Sequence, residues 1–160
     1  MTLGVGMSGC ALGRSTARDV MPRNEGCPVI LLERSGGLGF ESLSGIIAAV
    51  WPSGRIIRAE IPDRPWQGHV AGSLTAADRD AVLDLARSDQ AWSQPSGQVV
   101  LDMPDDTLTL RRGDAVRRWG ETPGFTSTAA VAEFRSRLVS LRIEGATRVS
   151  VSLETLAECR

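Results

Sequence analysis

The sequence lacks lysine and tyrosine and has a single histidine, His69. Without lysine, the phosphate-binding lysine of a P-loop is impossible. One histidine excludes zinc sites built from several histidines, and a histidine-dependent nucleophile would have to rely on His69 alone. These absences exclude several of the commonest catalytic and metal-binding arrangements.

The protein also lacks a strong charge imbalance and a long apolar run. It has 18 basic and 19 acidic residues, which gives a net charge of −1. Such a balance creates no field that attracts nucleic acid or an anionic membrane surface. No stretch approaches the ~18 apolar residues of a membrane-spanning helix. We therefore predict no nucleic-acid partner.

The three cysteines, Cys10, Cys27 and Cys159, are too few and too widely spaced for a disulfide framework or a Cys-x-x-Cys metal site. A Cys27–Cys159 pair is possible, and the sequence leaves it open. Residues 7–10 (Met-Ser-Gly-Cys) resemble the lipidation box of bacterial lipoproteins, although residues 1–9 lack the basic and apolar parts of a signal. Either a leader is truncated and Cys10 is lipidated, which would place the protein at the membrane of the cell envelope, or the box is a coincidence and the protein is cytoplasmic.

Residues 1–27 are rich in glycine, serine and arginine and show no periodicity, which is typical of a leader or a flexible tail. Residues 28–160 have the length and the hydrophobic content of one globular domain. The sequence therefore predicts one folded domain after a short N-terminal extension.

Hydrophobic periodicity within residues 28–160 predicts an α+β fold. Strands are predicted at residues 29–33, 45–50, 55–61, 99–111 (interrupted at 104–106) and 115–119, and helices from Thr75 and over about 128–142. Residues 62–72 contain two prolines and two glycines and are predicted to form a loop. The expected order is βββ-α-ββ-α with a possible C-terminal strand near 148–153. Tight turns favour a mainly antiparallel sheet of about five strands, with both helices on one face.

A glycine-rich turn follows the first predicted strand, where residues 29–32 (Val-Ile-Leu-Leu) lead into a polar segment. Glycine gives this turn unusual backbone freedom. It does not match the dinucleotide-binding fingerprint, because the third glycine position falls on Ser42. We predict an exposed turn that contacts a partner protein. The predicted contact residues are Arg34, Ser35, Gly36, Gly37, Leu38, Gly39 and Phe40.

The remaining candidate sites favour structural roles. Asp102, Asp105 and Asp106 have oxygen ligands suited to a hard cation, but they lack the ordered alternation of a calcium loop. We therefore predict a strand end with a charged turn at these residues. Asp63 and His69 could form an acid–base pair, although a loop position favours a surface histidine. We therefore predict no catalytic residue, no metal site and no cofactor.

Four arginines lie in or near the predicted turn at residues 112–114 (Arg-Gly-Asp): Arg111, Arg112, Arg117 and Arg118. They form a predicted basic edge of the sheet. Such an edge either meets an acidic partner or keeps the edge strand from pairing with other proteins.

Residues 34–39 (Arg-Ser-Gly-Gly-Leu-Gly) resemble the turn after the first strand of the emfourin family, small bacterial inhibitors of thermolysin-like metalloproteases. After this turn, emfourins continue with a helix, a strand pair and a closing helix. Residues 74–85 resemble the first of these helices, and residues 131–141 resemble the closing one. The resemblance covers about residues 29–143. It implies a single domain that inhibits a metalloprotease sterically through this turn.

A second family, of bacterial envelope-associated domains, resembles the protein in its order of elements and its long hairpin at residues 45–61. That family has a cysteine where this sequence has Gly37, and its Cys-Pro-x-Tyr motif is missing here. The sequence thus predicts a non-catalytic protein-binding module, and the emfourin resemblance implies that this module inhibits a metalloprotease. The alternative is an envelope lipoprotein domain with a structural or accessory role.

Overall fold

The computed structural model describes residues 26–37, 43–95, 100, 103–123 and 128–159. The strands are β1 (Ile30–Ser35), β2 (Gly45–Val50), β3 (Arg55–Ala59), β4 (His69–Leu74), β5 (Asp105–Arg112), β6 (Ala115–Glu121) and β7 (Ile143–Val149). The helices are α1 (Ala76–Arg87), α2 (Asp89–Ser93) and α3 (Ala129–Ser140), and a 3-10 helix spans Leu153–Cys159. The predicted α+β class is confirmed.

The seven strands form one antiparallel sheet with the order β6-β5-β1-β2-β3-β4-β7. Strands β1 to β4 follow one another as a meander, and β5 returns to pair with β1. β1 therefore lies inside the sheet, and the apolar run Ile30, Leu31 and Leu32 is buried on both sides. Because successive side chains point to opposite faces, one strand contributes to two cores.

The three helices pack on one face of the sheet, called here the helical face. Their apolar stripes meet Ile30 and Leu32 of β1 in a single core. Helices α1 and α3 begin where they are predicted to begin, because Thr75 and Thr128 cap them: each hydroxyl accepts a hydrogen bond from the backbone N–H three residues later.

The opposite face is covered by the C-terminal strap, defined as the 3-10 helix Leu153–Cys159 together with its disulfide. Leu156 packs there against buried residues that include Leu31 and Trp51. Cys159 forms a disulfide with Cys27, which settles the pairing that the sequence leaves open. The strap therefore fastens the C-terminal end of the domain to the segment preceding β1.

The sheet is larger than predicted. The described residues form seven strands in place of the expected five or so, and the short helix α2 is additional. β4 lies largely within residues 62–72, which are predicted to be a loop. Its Ala-Gly-Ser composition carries little local preference for a strand, and its pairing with β3 and β7 supplies the strand instead. The C-terminal strand begins earlier than predicted, as β7, and the predicted strand at 99–103 lies mostly outside the described residues.

Candidate functional site

A groove of about 770 Å³ opens at the end of the sheet where β1 finishes, between the sheet and α3. Both walls come from elements far apart in sequence. The charged residues that line it are Arg34, Asp63, Asp106, Glu121 and Arg135. The groove therefore lies beside the turn that the sequence predicts to contact a partner.

Asp106 is the centre of a charge network at the base of this groove. Arg34 lies directly opposite Asp106 in the pairing of β1 with β5, and its Nε and Nη2 donate to the two carboxylate oxygens at 2.7 and 3.0 Å. Arg135 of α3 donates to the same carboxylate through Nη1. The Asp106 side chain is only 1% exposed. Two guanidinium groups therefore hold one buried carboxylate, a strong charge-assisted arrangement.

Asp63 forms the outer part of the network, from the loop between β3 and β4. Its backbone carbonyl accepts a hydrogen bond from Arg34 Nη1 at 3.1 Å, and its Oδ1 accepts one from Arg135 Nη2 at 2.6 Å. The Asp63 side chain is 83% exposed. The network thus has one carboxylate at the surface, that of Asp63, and one in the interior, that of Asp106.

Glu121 faces the groove but is engaged by the start of α3. Its Oε2 accepts a hydrogen bond from the backbone N–H of Thr128 at 2.7 Å. A carboxylate at a helix N-terminus is stabilised by the N–H groups and by the positive end of the helix dipole. At the other end of α3, Arg58 donates to the Leu138 and Leu141 carbonyls. Both ends of the helix that forms one groove wall are therefore fixed.

The positive charges of Arg34 and Arg135 are destabilised by their position in the groove. Burial is the main cause that lowers the pKa of Arg34, and the Asp63 charge partly opposes it. Burial also lowers the pKa of Arg135, the neighbouring Arg34 charge lowers it further, and Asp63 acts in the opposite direction. Arginine remains cationic at neutral pH. Two buried like charges thus depend on the carboxylates beside them.

The predicted contact residues at the start of the turn are held firmly. The guanidinium of Arg34 is turned into the network. The N–H of Gly36, which is buried, donates to Ser44 Oγ at 2.8 Å, and Gly37 has a φ of 71°, which favours glycine. Leu38, Gly39 and Phe40 lie outside the described residues, so partner contact by this turn stays a prediction.

The loop that carries Asp63 packs closely on the first residue of β2. A Cβ built on Gly45 would lie 2.5 Å from the backbone oxygen of Pro65. Any larger residue at position 45 would push this loop outwards. Gly45 therefore allows the loop to lie against the end of the sheet and to place Asp63 within reach of Arg135.

His69 lies in a second, smaller cavity of about 360 Å³ on the strap side of the sheet. The prediction of a surface histidine is wrong, because His69 is 4% exposed and lies at the start of β4. Its Nε2–H donates to the Ile46 carbonyl at 2.9 Å. Burial lowers the His69 pKa, while that bond and the Glu60 charge partly oppose the shift. Since Asp63 binds arginines instead, the two residues do not form an acid–base pair.

Most arginines of the predicted basic edge bind other groups of the same protein. Arg111 donates to the Cys159 carbonyl, Arg112 pairs with Asp89 at 3.0 Å, and Arg117 donates to the Trp92 carbonyl. Three of the four arginines thus anchor the strap and α2. Within the part of the protein that the structure describes, the acidic, cysteine and histidine side chains form no group of three suited to a metal. No helix in these same residues could cross a membrane.

The sequence signals identify only part of this site. Arg34 is predicted as an exposed contact and Asp106 as part of a charged turn, and the structure joins them across 72 residues. Arg135 is not predicted as a site residue at all. Comparisons of the protein with protein-family models, with curated proteins and with solved structures give no match. The groove and its charge network are therefore the features from which a function must be argued.

Proposed function

We propose that the protein is a non-catalytic protein-binding module whose contact surface is the β1 end, defined as the groove together with the turn after β1. The main support is that Arg34, Arg135 and Asp106 already hold one another in fixed positions. Groove side chains that are held in place before binding lose little conformational entropy when a partner arrives.

The composition of the groove favours recognition over a reaction. Its guanidinium groups stay protonated and cannot act as general bases. The Asp106 oxygens accept bonds from two arginines and are almost inaccessible. Apolar residues, Pro62 and Val139 among them, line the groove beside the charged and polar groups. Fixed polar groups beside apolar walls are typical of a binding surface.

Photo-crosslinking tests this proposal. We expect a photoreactive amino acid at Val139, in the groove wall, to capture one discrete partner protein in extract of the native cells. The matched control is Val116, another exposed valine, on β6 at the far side of the sheet. Capture at both positions alike, or at neither, would contradict a protein-binding role for the β1 end.

Inhibition of a thermolysin-like metalloprotease is the specific form of this role that the emfourin resemblance supports. The turn at Arg34–Phe40 would block the protease cleft sterically, with no acid, base or metal of its own. We expect the purified domain in excess to slow peptide hydrolysis by a thermolysin-type enzyme. Replacing Gly37, whose left-handed backbone no bulky residue adopts readily, by valine should weaken the inhibition. Unchanged hydrolysis at high excess removes this form of the proposal.

The alternative is an envelope lipoprotein domain with a structural or accessory role. The Cys27–Cys159 disulfide favours it, because disulfides persist mainly in oxidising compartments outside the cytoplasm. Metabolic labelling with a radioactive fatty acid distinguishes it: label that is lost in the Cys10→Ser variant supports lipidation, and an unlabelled wild-type protein contradicts it.

A further inference from the structure

We propose that the groove receives a carboxylate of the partner protein, and that Asp63 occupies the place of this carboxylate until the partner displaces it. The inference rests on the proposed binding function and specifies the chemistry of the partner. Acidic residues and the C-terminal residue of a protein both carry this group. In either case the neighbouring partner residue would be apolar.

The first argument is that Arg135 has donors to spare. A guanidinium has five N–H groups in a planar fork that matches a carboxylate. The two bonds of Arg135, to Asp106 and to Asp63, use one hydrogen on each Nη. These two bonds do not use its Nε–H or the second hydrogen on each Nη. A partner carboxylate could therefore bind Arg135 through two parallel hydrogen bonds, whereas Asp63 supplies one.

The second argument is that Asp63 is held weakly and Asp106 is not. The 83% exposed Asp63 side chain is well solvated, whereas that of Arg135 is only 23% exposed. Ion pairs with such an exposed member contribute little, because water and salt screen them. The Asp63 side chain can also rotate away from Arg135 without moving the backbone of its loop, whose Asp63 carbonyl stays bound to Arg34. Displacement of Asp63 therefore requires little free energy.

The third argument is electrostatic. Burial and the Arg34 charge both lower the pKa of Arg135, and Asp63 opposes this shift through its hydrogen bond and its charge, so a carboxylate at the outer position, from Asp63 or from a partner, stabilises the Arg135 cation. Asp106 neutralises one of the two charges from inside. Glu121 is committed to the start of α3. The outer position beside Arg135 is thus the place in the network where an added carboxylate gains most.

The apolar part of the groove specifies what accompanies the carboxylate. Pro62, Ala132 and Val139 line the same cavity as Arg135, and the Val139 side chain remains substantially exposed. An aliphatic partner side chain next to the carboxylate would cover this apolar surface and be stabilised there by the hydrophobic effect. A leucine-like residue beside an acidic group is therefore the expected recognition element.

Three dipeptide probes test the inference by NMR titration of the whole 160-residue chain. Acetyl-leucyl-glutamic acid amide carries its carboxylate on the glutamate residue, acetyl-leucyl-leucine carries a terminal carboxylate, and acetyl-leucyl-leucine amide carries none. We expect at least one acid to shift the resonances of Ala132 and Arg135 at millimolar concentration, and the neutral amide to bind at least about tenfold more weakly. The stronger of the two acids identifies the source of the carboxylate.

The direction in which Asp63→Asn changes the affinity for the acidic probe decides whether Asp63 competes with the ligand. Since Asp63 competes with the ligand, its neutralisation should tighten binding of the acidic probe at least about threefold. Arg135→Lys, which keeps the charge but loses the fork, should weaken binding. Asp80→Asn is the matched control, because Asp80 is an exposed aspartate paired with Arg79 elsewhere. It should leave the affinity unchanged.

Three results would overturn the inference: equal binding of acid and amide, weaker binding of the acid by Asp63→Asn, or no binding of any probe to wild type and Asp63→Asn alike. The second result would indicate a cationic partner group that needs Asp63. None of these three results bears on whether Val139 captures a partner protein, so the proposed function would stand. Conversely, probe binding without capture at Val139 would contradict the protein-binding function alone.

Discussion

Replacing both Cys27 and Cys159 by serine is expected to lower the free energy of unfolding by about 4 kcal/mol. The disulfide joins residues 132 positions apart, so the loop that it closes in the unfolded state includes nearly the whole described domain. Without the link, the unfolded state gains a large amount of conformational freedom, and the folded state is disfavoured accordingly. Urea unfolding followed by circular dichroism measures the change.

The same substitution should loosen the strap more than the rest of the domain. Leu156 and the Arg111 bond to the Cys159 carbonyl would then hold the strap without covalent help. We expect the substitution to accelerate amide hydrogen exchange more in residues 153–159 than in α3. Cys10→Ser is the control, because Cys10 takes no part in this disulfide. An unfolding free energy within about 1 kcal/mol of the wild type would show that the disulfide contributes little.

The two caps and the β5 alternation show which parts of the fold a sequence can predict. Thr75 and Thr128 each precede a helical apolar stripe, so the signal is local and both helices are predicted. In β5, Leu108 and Leu110 alternate towards the helical face, as predicted from their spacing. The same parity places Asp106 on that face. This was the available signal that Asp106 is buried rather than part of an exposed turn.

β4 and the strap show why the rest could not be predicted. The β4 sequence acquires its structure from pairing with strands on both sides, and no local pattern records that pairing. The same holds for Arg135, which lies on α3 and reaches Asp106 across the groove. A contact between distant elements depends on how helix and sheet pack. The sequence therefore predicts the elements better than the site that they form.

Asp106→Ala is expected to lower the free energy of unfolding by about 3 kcal/mol. The variant leaves Arg34 and Arg135 close together and partly buried, without the carboxylate that both of them bind. Removing one member of such a network leaves uncompensated charge, which is more harmful than removing the whole network. Thermal and urea unfolding of the purified variant measure the loss.

Asp105→Ala is the matched control, since Asp105 is the adjacent aspartate on β5 and points to the other face of the sheet. It should change the unfolding free energy by less than about 1 kcal/mol. Equal losses in the two variants would contradict a special role for Asp106.

The double variant Arg34→Met, Asp106→Leu separates stability from function. Apolar replacements of an ion pair often restore stability, because they remove the need to desolvate the charges. We expect this variant to recover at least about half of the stability lost in Asp106→Ala. Arg135 would then lack the buried carboxylate that fixes its position, so the acidic dipeptide should still bind more weakly than to wild type. Wild-type affinity in the double variant would show that Asp63 and Arg135 act without the inner pair.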